Sequence, residues 1–365
     1  MAPLCHAMHE DAENFEMCIC VTGQHREMLD QVLDIFEIKP AIDLNVMKHG
    51  QNLSEITSSI LSGMTNLFKS YKPDMVLVHG DTTSAFAAAT AAFYERIPVG
   101  HVEAGLRTFD INAPFPEEFN RQVISKISSL HFAPTEFSKD NLLDEGHDIN
   151  SIEVTGNTVI DSLFWILDRI DQEENRRNDI EEFLSNYLPF EWLNAKYILI
   201  TGHRRENFGD GFINICEALV ELASNFPEIH FIYPVHLNPN VQEPVFKMLK
   251  NHANIHLIPP LDYEPFVYLL RHCYFVLTDS GGIQEEAPSL GKPVLVMRDV
   301  TERPEAIIAG TVELVGANKD QIVLKASQIL KDNKEYLKMS KAHNPYGDGA
   351  ASHRILKRLR GEFNV

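Results

Sequence analysis

The sequence lacks the features of a membrane or secreted protein. No apolar run approaches the ~20 residues that a membrane-spanning helix needs, and no charged, apolar, small-residue leader opens the chain. Its five cysteines are too few and too irregularly spaced for a disulfide framework. Basic residues are also scarce, since 32 Lys and Arg against 52 Asp and Glu give a net charge of −20. We therefore expect a cytoplasmic protein that binds neither nucleic acid nor membrane, because both require local positive charge.

The pattern that is present is typical of a globular α/β protein. Of the 365 residues, 44% are hydrophobic and 23% charged, and the length is enough for about two domains of ~150 residues. Short apolar runs typical of buried parallel strands alternate with amphipathic runs typical of helices. The predicted strands cover residues 17–21, 75–79, 99–102, 131–133, 152–155, 197–201, 230–235, 255–258, 275–278 and 294–297. Helices are predicted between them, including 27–36, 53–71, 84–94, 117–129 and 212–225. The alternation predicts two doubly wound, Rossmann-like domains.

The two sets of strands divide the chain into a first domain over residues 1–160 and a second over 161–349. A helix within 350–365 follows a turn-rich stretch and is predicted to pack back on the first domain. The first ten residues predict a helix with Pro3 in its first turn. Because a doubly wound domain normally opens with a strand, the first sheet is expected to lack its first strand and the loop after it.

The most specific single motif is TDSGGIQEEAPS at residues 278–289. An apolar strand precedes it, and Ser280, Gly281 and Gly282 then open a helix whose first N–H groups have no partner within the helix. The glycines let an anion approach these groups, and the carboxylate of Glu286, one turn later, suits a ribose diol. An ordinary turn with a capping serine and first-turn acids is the alternative. The paired acids after a strand favour a nucleotide diphosphate site.

Basic side chains follow two other predicted strands of the second domain. Arg303 is expected to point at the same phosphates, although a surface salt bridge with Glu302 or Glu305 would explain it equally well. Residues 203–205, His-Arg-Arg, follow the domain's first strand. Three potential cations at one strand end of so acidic a chain indicate an anionic partner better than they indicate local ion pairs.

The first domain carries acids at the corresponding positions. Asp81 and Glu103 end two predicted strands, and Glu117 and Glu118 open a helix that includes Arg121. Taken singly, each acid is more simply an N-cap or a member of a buried ion pair. Their convergence on one sheet edge favours acid/base chemistry instead, because neighbouring carboxylates shift one another's pKa values.

No pattern of histidines or cysteines predicts a metal site. Cys18 and Cys20 lie two residues apart on the first predicted strand, where two buried thiols are the simpler interpretation. No spacing typical of zinc ligands accompanies the acids, so no metal is expected.

Several short strings together closely resemble the non-hydrolysing UDP-N-acetylglucosamine 2-epimerase family. They span nearly the whole chain in family order and are specific as a set. The strings are VTGQHRE (21–27), VHGDT (78–82), GHVEAGLR (100–107), PEE (116–118), TGNT (155–158), TGHRRE (201–206), PVHLN (234–238), TDSGG (278–282) and NPYGD (344–348). The resemblance implies a glycosyltransferase-B-like pair of Rossmann domains with the active site in the cleft between them. It also implies a homodimer that interconverts UDP-GlcNAc and UDP-ManNAc for surface polysaccharide synthesis.

Carried over residue by residue, the resemblance implies catalytic roles for Asp81, Glu103, Glu117 and His203. It implies that Ser280, Gly281 and Gly282 bind the diphosphate and that Glu286 binds the ribose. Arg303 would contact a phosphate or the sugar, and Phe266 would lie near the uracil. Arg121 is one further predicted substrate-binding residue. A second, regulatory UDP-GlcNAc site described for bacterial members would use Gln24, His25, Glu118 and His236.

The sequence departs from the family at its start. Family members begin with a strand and a Gly-Thr-Arg-Pro-Glu loop followed by a lysine, and these have no counterpart here. We therefore expect that Met1 is internal to the natural protein or that the chain is a truncated form. Gly50 stands where some members carry an arginine in the regulatory site.

The expected mechanism follows from the chemistry of the sugar. No carbonyl acidifies the hydrogen on carbon 2, so elimination of UDP and its re-addition is the plausible route. Glu103 and Glu117 would act as base and acid, with Asp81 in support, and no nicotinamide cofactor is needed. Three alternatives stay open: a hydrolysing 2-epimerase, a glycosyltransferase of the same fold, and an inactive UDP-sugar-binding protein.

Overall fold

The computed structural model describes residues 1–24, 26–48, 50–301 and 303–365. The chain divides into two compact units: unit 1 contains Met1–Ser162 and Tyr346–Val365, and unit 2 contains Leu163–Pro345. The predicted domain boundaries lie after residues 160 and 349. Each unit is built from parallel strands and helices, so the predicted α/β fold class is confirmed.

Unit 1 begins with a helix, as predicted, with Pro3 in its first turn. The helix α7 (Thr158–Gln172) begins in unit 1 and continues into unit 2. The elements are α1 (Ala2–Glu10), β1 (Cys20–Val21), α2 (Arg26–Ile35), β2 (Ile42–Asp43), α3 (Leu53–Ser70), β3 (Val76–His79), α4 (Thr83–Tyr94), β4 (Val99–Val102), α5 (Glu117–Ile127), β5 (Leu130–Ala133), α6 (Glu136–Asp144), β6 (Ile152–Val154) and α7 (Thr158–Gln172).

The strands of unit 1 form two parallel sheets among the described residues. One sheet has the order β3-β4-β5-β6, and the other is the pair β1-β2. Strands β4 and β5 are buried along their whole length, as expected for strands covered on both faces. Because β3 and β4 are neighbours with His79 opposite Val102, the loops that follow them leave the same sheet edge.

Unit 2 contains the remaining elements before the chain returns to unit 1. They are α8 (Glu174–Ser185), β7 (Tyr197–Thr201), α9 (Asp210–Asn225), β8 (His230–Pro234), α10 (Pro239–Leu249), β9 (Ile255–Ile258), α11 (Tyr263–His272), β10 (Phe275–Thr278), α12 (Ile283–Ser289), β11 (Val294–Val296), α13 (Pro304–Ala309), β12 (Val312–Leu314), α14 (Lys319–Lys331) and α15 (Asn333–Ser340). The final helix of unit 1 is α16 (Ala351–Phe363).

The sheet of unit 2 is one continuous parallel sheet of order β12-β11-β10-β7-β8-β9. Counted within the unit, this is the doubly wound strand order 3-2-1-4-5-6. Its centre is fully buried, with Ile198, Ile200 and Phe275 among the side chains that have no exposed surface. The order reverses between β7 and β10, and ligands of such sheets bind outside the carboxyl ends of the strands at that point.

Helix α16 packs on unit 1, where Ile355 and Leu359 join Leu4 of α1 and Phe132 of β5 in one buried cluster. Burying an aliphatic side chain of this size contributes about 1.5–3 kcal/mol. The carboxylate of Asp161, on α7, accepts hydrogen bonds from the backbone N–H groups of Ala351 and Ser352 over 3.1 and 2.7 Å. This carboxylate therefore satisfies donors at the start of α16 that no backbone carbonyl of the helix can reach.

Some predictions about local structure need correction. The first predicted strand, 17–21, is a strand only over Cys20–Val21, so Cys18 lies outside it, and both thiols are half-buried rather than buried. Strands β2 and β12 were not predicted. All five cysteines are free thiols. Within the described parts of the chain, no helix has the length and apolar character needed to cross a membrane.

Candidate active site

The switch point of unit 2 brings two of the predicted motifs together. Thr201 ends β7 and Thr278 ends β10, and the two residues are opposite one another in the parallel ladder. Their hydroxyl oxygens are 2.6 Å apart. The segment that begins with His203 and the glycine loop that begins with Ser280 therefore leave the sheet side by side.

The glycine loop leads directly into α12. The backbone N–H of Ser280 donates to the hydroxyl of Thr278 over 2.9 Å, which holds the start of the loop against the strand end. Gly282 precedes the helix without a side-chain cap, is exposed, and has open space where a Cβ would lie. The N–H groups of Gln284, Glu285 and Glu286 donate to the carbonyls of Gly281 or Gly282, so the donors that this helix start offers to an anion come before Gln284.

Arg303 contacts the start of α12 rather than only its neighbours in sequence. Its Nε donates to Oε1 of Glu285 over 2.8 Å, and the Glu285 side chain is 3% exposed. The backbone N–H of Arg303 also donates to Thr301, whose hydroxyl donates to Gln284 on α12. Of the two alternative partners in the sequence analysis, Glu302 lies outside the described residues. These bonds place the guanidinium beside the helix that follows the glycine loop.

A buried carboxylate, Asp279, organises the segment around His203. It accepts hydrogen bonds from the backbone N–H groups of His203 and Arg204, each over 2.9 Å at its shortest, and from the side-chain amide of Asn207 over 3.3 Å. Nδ1 of His203 lies 3.5 Å from the same carboxylate. Partial burial lowers the pKa of His203, and the charge of Asp279 opposes that shift.

The ring of His203 stacks on the ring of His236, with centroids 5.5 Å apart. His203 is a predicted catalytic residue and His236 a predicted regulatory one, so unit 2 brings these two predicted positions into contact. Both residues are exposed.

Glu286 is almost fully buried on α12, with 6% of its surface exposed. Its Oε1 accepts a hydrogen bond from the hydroxyl of Tyr263, at the start of α11, over 2.7 Å. Burial raises the pKa of Glu286 to about 7, and the Tyr263 hydrogen bond opposes the rise. Phe266, the predicted uracil contact, lies on the same helix one turn after Tyr263 and is half-buried.

In unit 1, Glu103 follows β4 in a strained backbone conformation. Its φ of +64° lies in the left-handed region that L-residues other than glycine rarely adopt. The side chain is held from two sides: Oε2 lies 3.6 Å from Nε2 of His79, and Oε1 accepts from the amide of Asn157 over 3.2 Å. Strain of this kind at a residue with several side-chain contacts is typical of functional sites.

Asp81, after β3, pairs with Arg121 of α5 over 2.6 Å. Arg121 also lies 3.4 Å from Glu118, and Asn120 donates to the backbone carbonyl of Asp81. Glu118 is fully buried. The predicted substrate-binding arginine is therefore held among acids of its own unit.

The remaining predicted residues of unit 1 lie at loop ends. Glu117 is the first residue of α5 and is half-buried. Gln24 accepts a hydrogen bond from Ser84 over 2.8 Å. Glu118 accepts from the backbone N–H of Thr108 over 3.1 Å. His25 lies outside the described residues.

Comparison with known proteins identifies the family. The model of the UDP-N-acetylglucosamine 2-epimerase family matches residues 6–360. The chain belongs to the UDP-N-acetylglucosamine 2-epimerase family. It is 58% identical over 360 residues to a UDP-N-acetylglucosamine 2-epimerase of Yersinia pestis and 56% identical to that of Escherichia coli K12, in each case over 99% of this chain and 94% of the relative.

Solved structures of the epimerase family have the same fold. The UDP-GlcNAc 2-epimerase of Neisseria meningitidis bound to UDP-GlcNAc superposes with a TM-score of 0.88 at 50% identity, over 99% of this chain and 96% of that one. The enzyme of Methanocaldococcus jannaschii in complex with UDP-GlcNAc and UDP superposes with a TM-score of 0.79 at 33% identity, over 99% and 95%. The resemblance stated from the sequence motifs is therefore confirmed.

Sequence reasoning about this epimerase-family chain missed four residues that hold the predicted site residues in place. Asp279 supports His203, Tyr263 supports Glu286, and His79 and Asn157 support Glu103. Three of them, Tyr263 excepted, fall within motifs that point to the site, but nothing in a single sequence shows which distant residue each contacts. In the ranges that the structure describes, no three His, Cys, Asp or Glu residues form a group able to hold a metal ion.

Proposed function

We propose that this chain interconverts UDP-GlcNAc and UDP-ManNAc at carbon 2 without releasing the sugar. The observation that carries the proposal is Glu103, a carboxylate held by His79 and Asn157 on a strained residue directly after a central strand. A base held in place in this way suits abstraction of a weakly acidic C–H hydrogen. Membership in the epimerase family supplies the substrate class.

The nucleotide is assigned to unit 2. The N–H groups of Gly281 and Gly282, the hydroxyl of Ser280 and the guanidinium of Arg303 would bind the diphosphate, since helix starts and arginine both favour phosphate oxygens. Glu286 would accept hydrogen bonds from the ribose, and Phe266 would contact the uracil. His203, held by Asp279, would stabilise charge on the departing diphosphate.

The chemical step is assigned to the carboxylates of unit 1. One carboxylate removes the proton from carbon 2 while the bond between carbon 1 and the UDP oxygen breaks, and UDP departs with the bonding electrons. A carbon 1–carbon 2 double bond results. A second acid then returns a proton to the opposite face of carbon 2 as UDP re-adds to carbon 1. Glu103 and Glu117 carry these two roles, and Asp81, paired with Arg121, supports them.

Solvent isotope incorporation tests the route. Incubation with UDP-GlcNAc in deuterated water should place deuterium at carbon 2 of both UDP-GlcNAc and UDP-ManNAc, because the abstracted proton exchanges with solvent. Mass spectrometry and NMR measure this. Epimerisation that retains the original hydrogen would contradict elimination, and release of free ManNAc would identify the hydrolysing alternative.

We further propose a homodimer that works in the cytoplasm and supplies surface polysaccharide synthesis. A shallow apolar surface of unit 1, lined by Phe93, Tyr94 and Ile97, supports self-association. Phe93 and Tyr94 are 52% and 65% exposed and line this surface together with Ile97. Light scattering should give the mass of two 41.4-kDa chains.

The second UDP-GlcNAc site at Gln24, His25, Glu118 and His236 stays a prediction. Glu118 already accepts bonds from the backbone N–H groups of Thr108 and Phe109.

A further inference from the structure

Tyr263 has a contact that the proposed mechanism leaves unexplained. Its hydroxyl donates to Oε1 of Glu286 over 2.7 Å, although the two residues belong to different helices, α11 and α12. Burial, together with the charge of Glu286, raises the pKa of Tyr263, so the phenol stays a donor throughout the working pH range. The carboxylate of Glu286 therefore has a permanent hydrogen-bond donor on one side.

We propose that Tyr263 is a positioning residue for nucleotide recognition, which orients the Glu286 carboxylate so that it can accept both ribose hydroxyls. The inference rests on the proposed function, which assigns the ribose to Glu286. An ionised carboxylate has about four lone-pair sites, so one bond from Tyr263 leaves room for the two bonds of a diol. Without this bond, the glutamate side chain would populate several rotamers. Fixing it in one rotamer when the nucleotide binds would then cost conformational entropy and lower the affinity for the nucleotide.

The hydroxyl of Tyr263 also affects whether the Glu286 side chain is ionised. Burial and the neighbouring Glu285 both favour the neutral acid, and Arg303 is engaged with Glu285. Tyr263 opposes them by stabilising the carboxylate. Near neutral pH, loss of the hydroxyl should therefore convert Glu286 into a neutral acid, which is a poorer acceptor for the diol.

The test is Tyr263→Phe, with UDP and 2′-deoxy-UDP as probes and calorimetric Kd values measured from pH 6 to 9. UDP affinity should fall by about tenfold at pH 7, the loss typical of one charge-assisted hydrogen bond. Affinity for 2′-deoxy-UDP should change much less, because it lacks one of the two hydroxyls. The pH below which UDP binding weakens should also move upward.

A matched control lies on the same helix. Tyr268 donates to Oε1 of Glu181 over 2.7 Å, the same kind of bond at the same distance. Tyr268→Phe should leave the preference for UDP over 2′-deoxy-UDP and its pH dependence unchanged. Glu286→Gln should abolish the preference, and adding Tyr263→Phe to it should have little further effect.

Equal losses for UDP and 2′-deoxy-UDP in Tyr263→Phe would overturn the inference, because a merely structural tyrosine would affect both probes alike. A preference that survives Glu286→Gln would also overturn it, and this result does not depend on how the tyrosine variant folds. If the wild-type protein binds UDP and Tyr263→Phe has no effect on that binding, only the role of Tyr263 is contradicted. If the wild-type protein binds neither probe, the proposed function is contradicted as well.

Discussion

The two units organise parallel strands differently. In unit 2, β7 pairs with β8 on one side and β10 on the other, within a continuous sheet of six strands. In unit 1, the described residues place four strands in one sheet and β1 and β2 in a separate pair. The glycine loop, which we propose binds the nucleotide, thus leaves the most extensively paired part of the described structure, where the backbone has least freedom to move.

The two units also differ in the charge of their predicted site residues. Among the predicted site residues that follow strands, those of unit 2 include glycines, His203 and Arg303, whereas those of unit 1 include Asp81 and Glu103. The difference suggests a division of labour in which unit 2 provides affinity and unit 1 provides proton transfer. Two measurements test this division of labour, and a third tests the difference between the two sheets.

Glu117→Gln should give the largest effect. The amide keeps the shape of the side chain but cannot exchange a proton, so turnover should fall by ~10²–10⁴ while UDP affinity stays within about twofold. A coupled UDP-ManNAc assay and calorimetry measure the two quantities. Glu136→Gln is the control, because Glu136 also lies in the first turn of a unit 1 helix but is exposed. A parallel loss of UDP affinity would show that Glu117 has a structural role.

Arg303→Ala should give an intermediate effect of the opposite kind. Loss of a charge-assisted phosphate contact should weaken UDP binding by about 1.5–3 kcal/mol, or roughly 10- to 150-fold in Kd. Arg271→Ala is the control, since Arg271 pairs with Asp171 elsewhere in unit 2. Unchanged UDP affinity in Arg303→Ala would remove this arginine from the nucleotide site.

The smallest effect concerns local stability. Amide protons of Ile198 and Ile200 in β7 should exchange with solvent roughly fivefold more slowly than that of Leu44, whose N–H donates to the carbonyl of Val21 in the small sheet. Hydrogen exchange followed by mass spectrometry compares the two segments. Equal protection would mean that the small sheet is as stable as the large one.

The sequence predicted best those strands that are mostly buried. The bounds of β4, β7, β9 and β10 agree with the predictions, because each is a short run of mainly apolar residues. Strands β2 and β12 were missed because they have two and three residues and include Asp43 and Glu313. Apolar patterning carries too little information at that length.

The candidate site was predictable where the chemistry lies within a motif. The glycine loop follows its strand as expected, and Arg303 contacts α12. Supporting residues such as Asp279 and Tyr263 were not predictable, because their roles depend on contacts across the fold. The left-handed backbone of Glu103 was also invisible in the sequence, since glutamate gives no signal for a positive φ.

The return of the chain to unit 1 has a consequence for biosynthesis. Residues 346–365 are translated after all of unit 2, yet α1 and β5 need α16 to complete their buried cluster. Because domains generally fold as units during synthesis, unit 2 can fold on the ribosome before unit 1 is complete. Until α16 has been made, Leu4 and Phe132 of unit 1 lack part of their buried cluster. Nascent chains stalled before residue 346 should therefore expose this apolar surface to chaperones, although more than nine-tenths of the sequence has already been made.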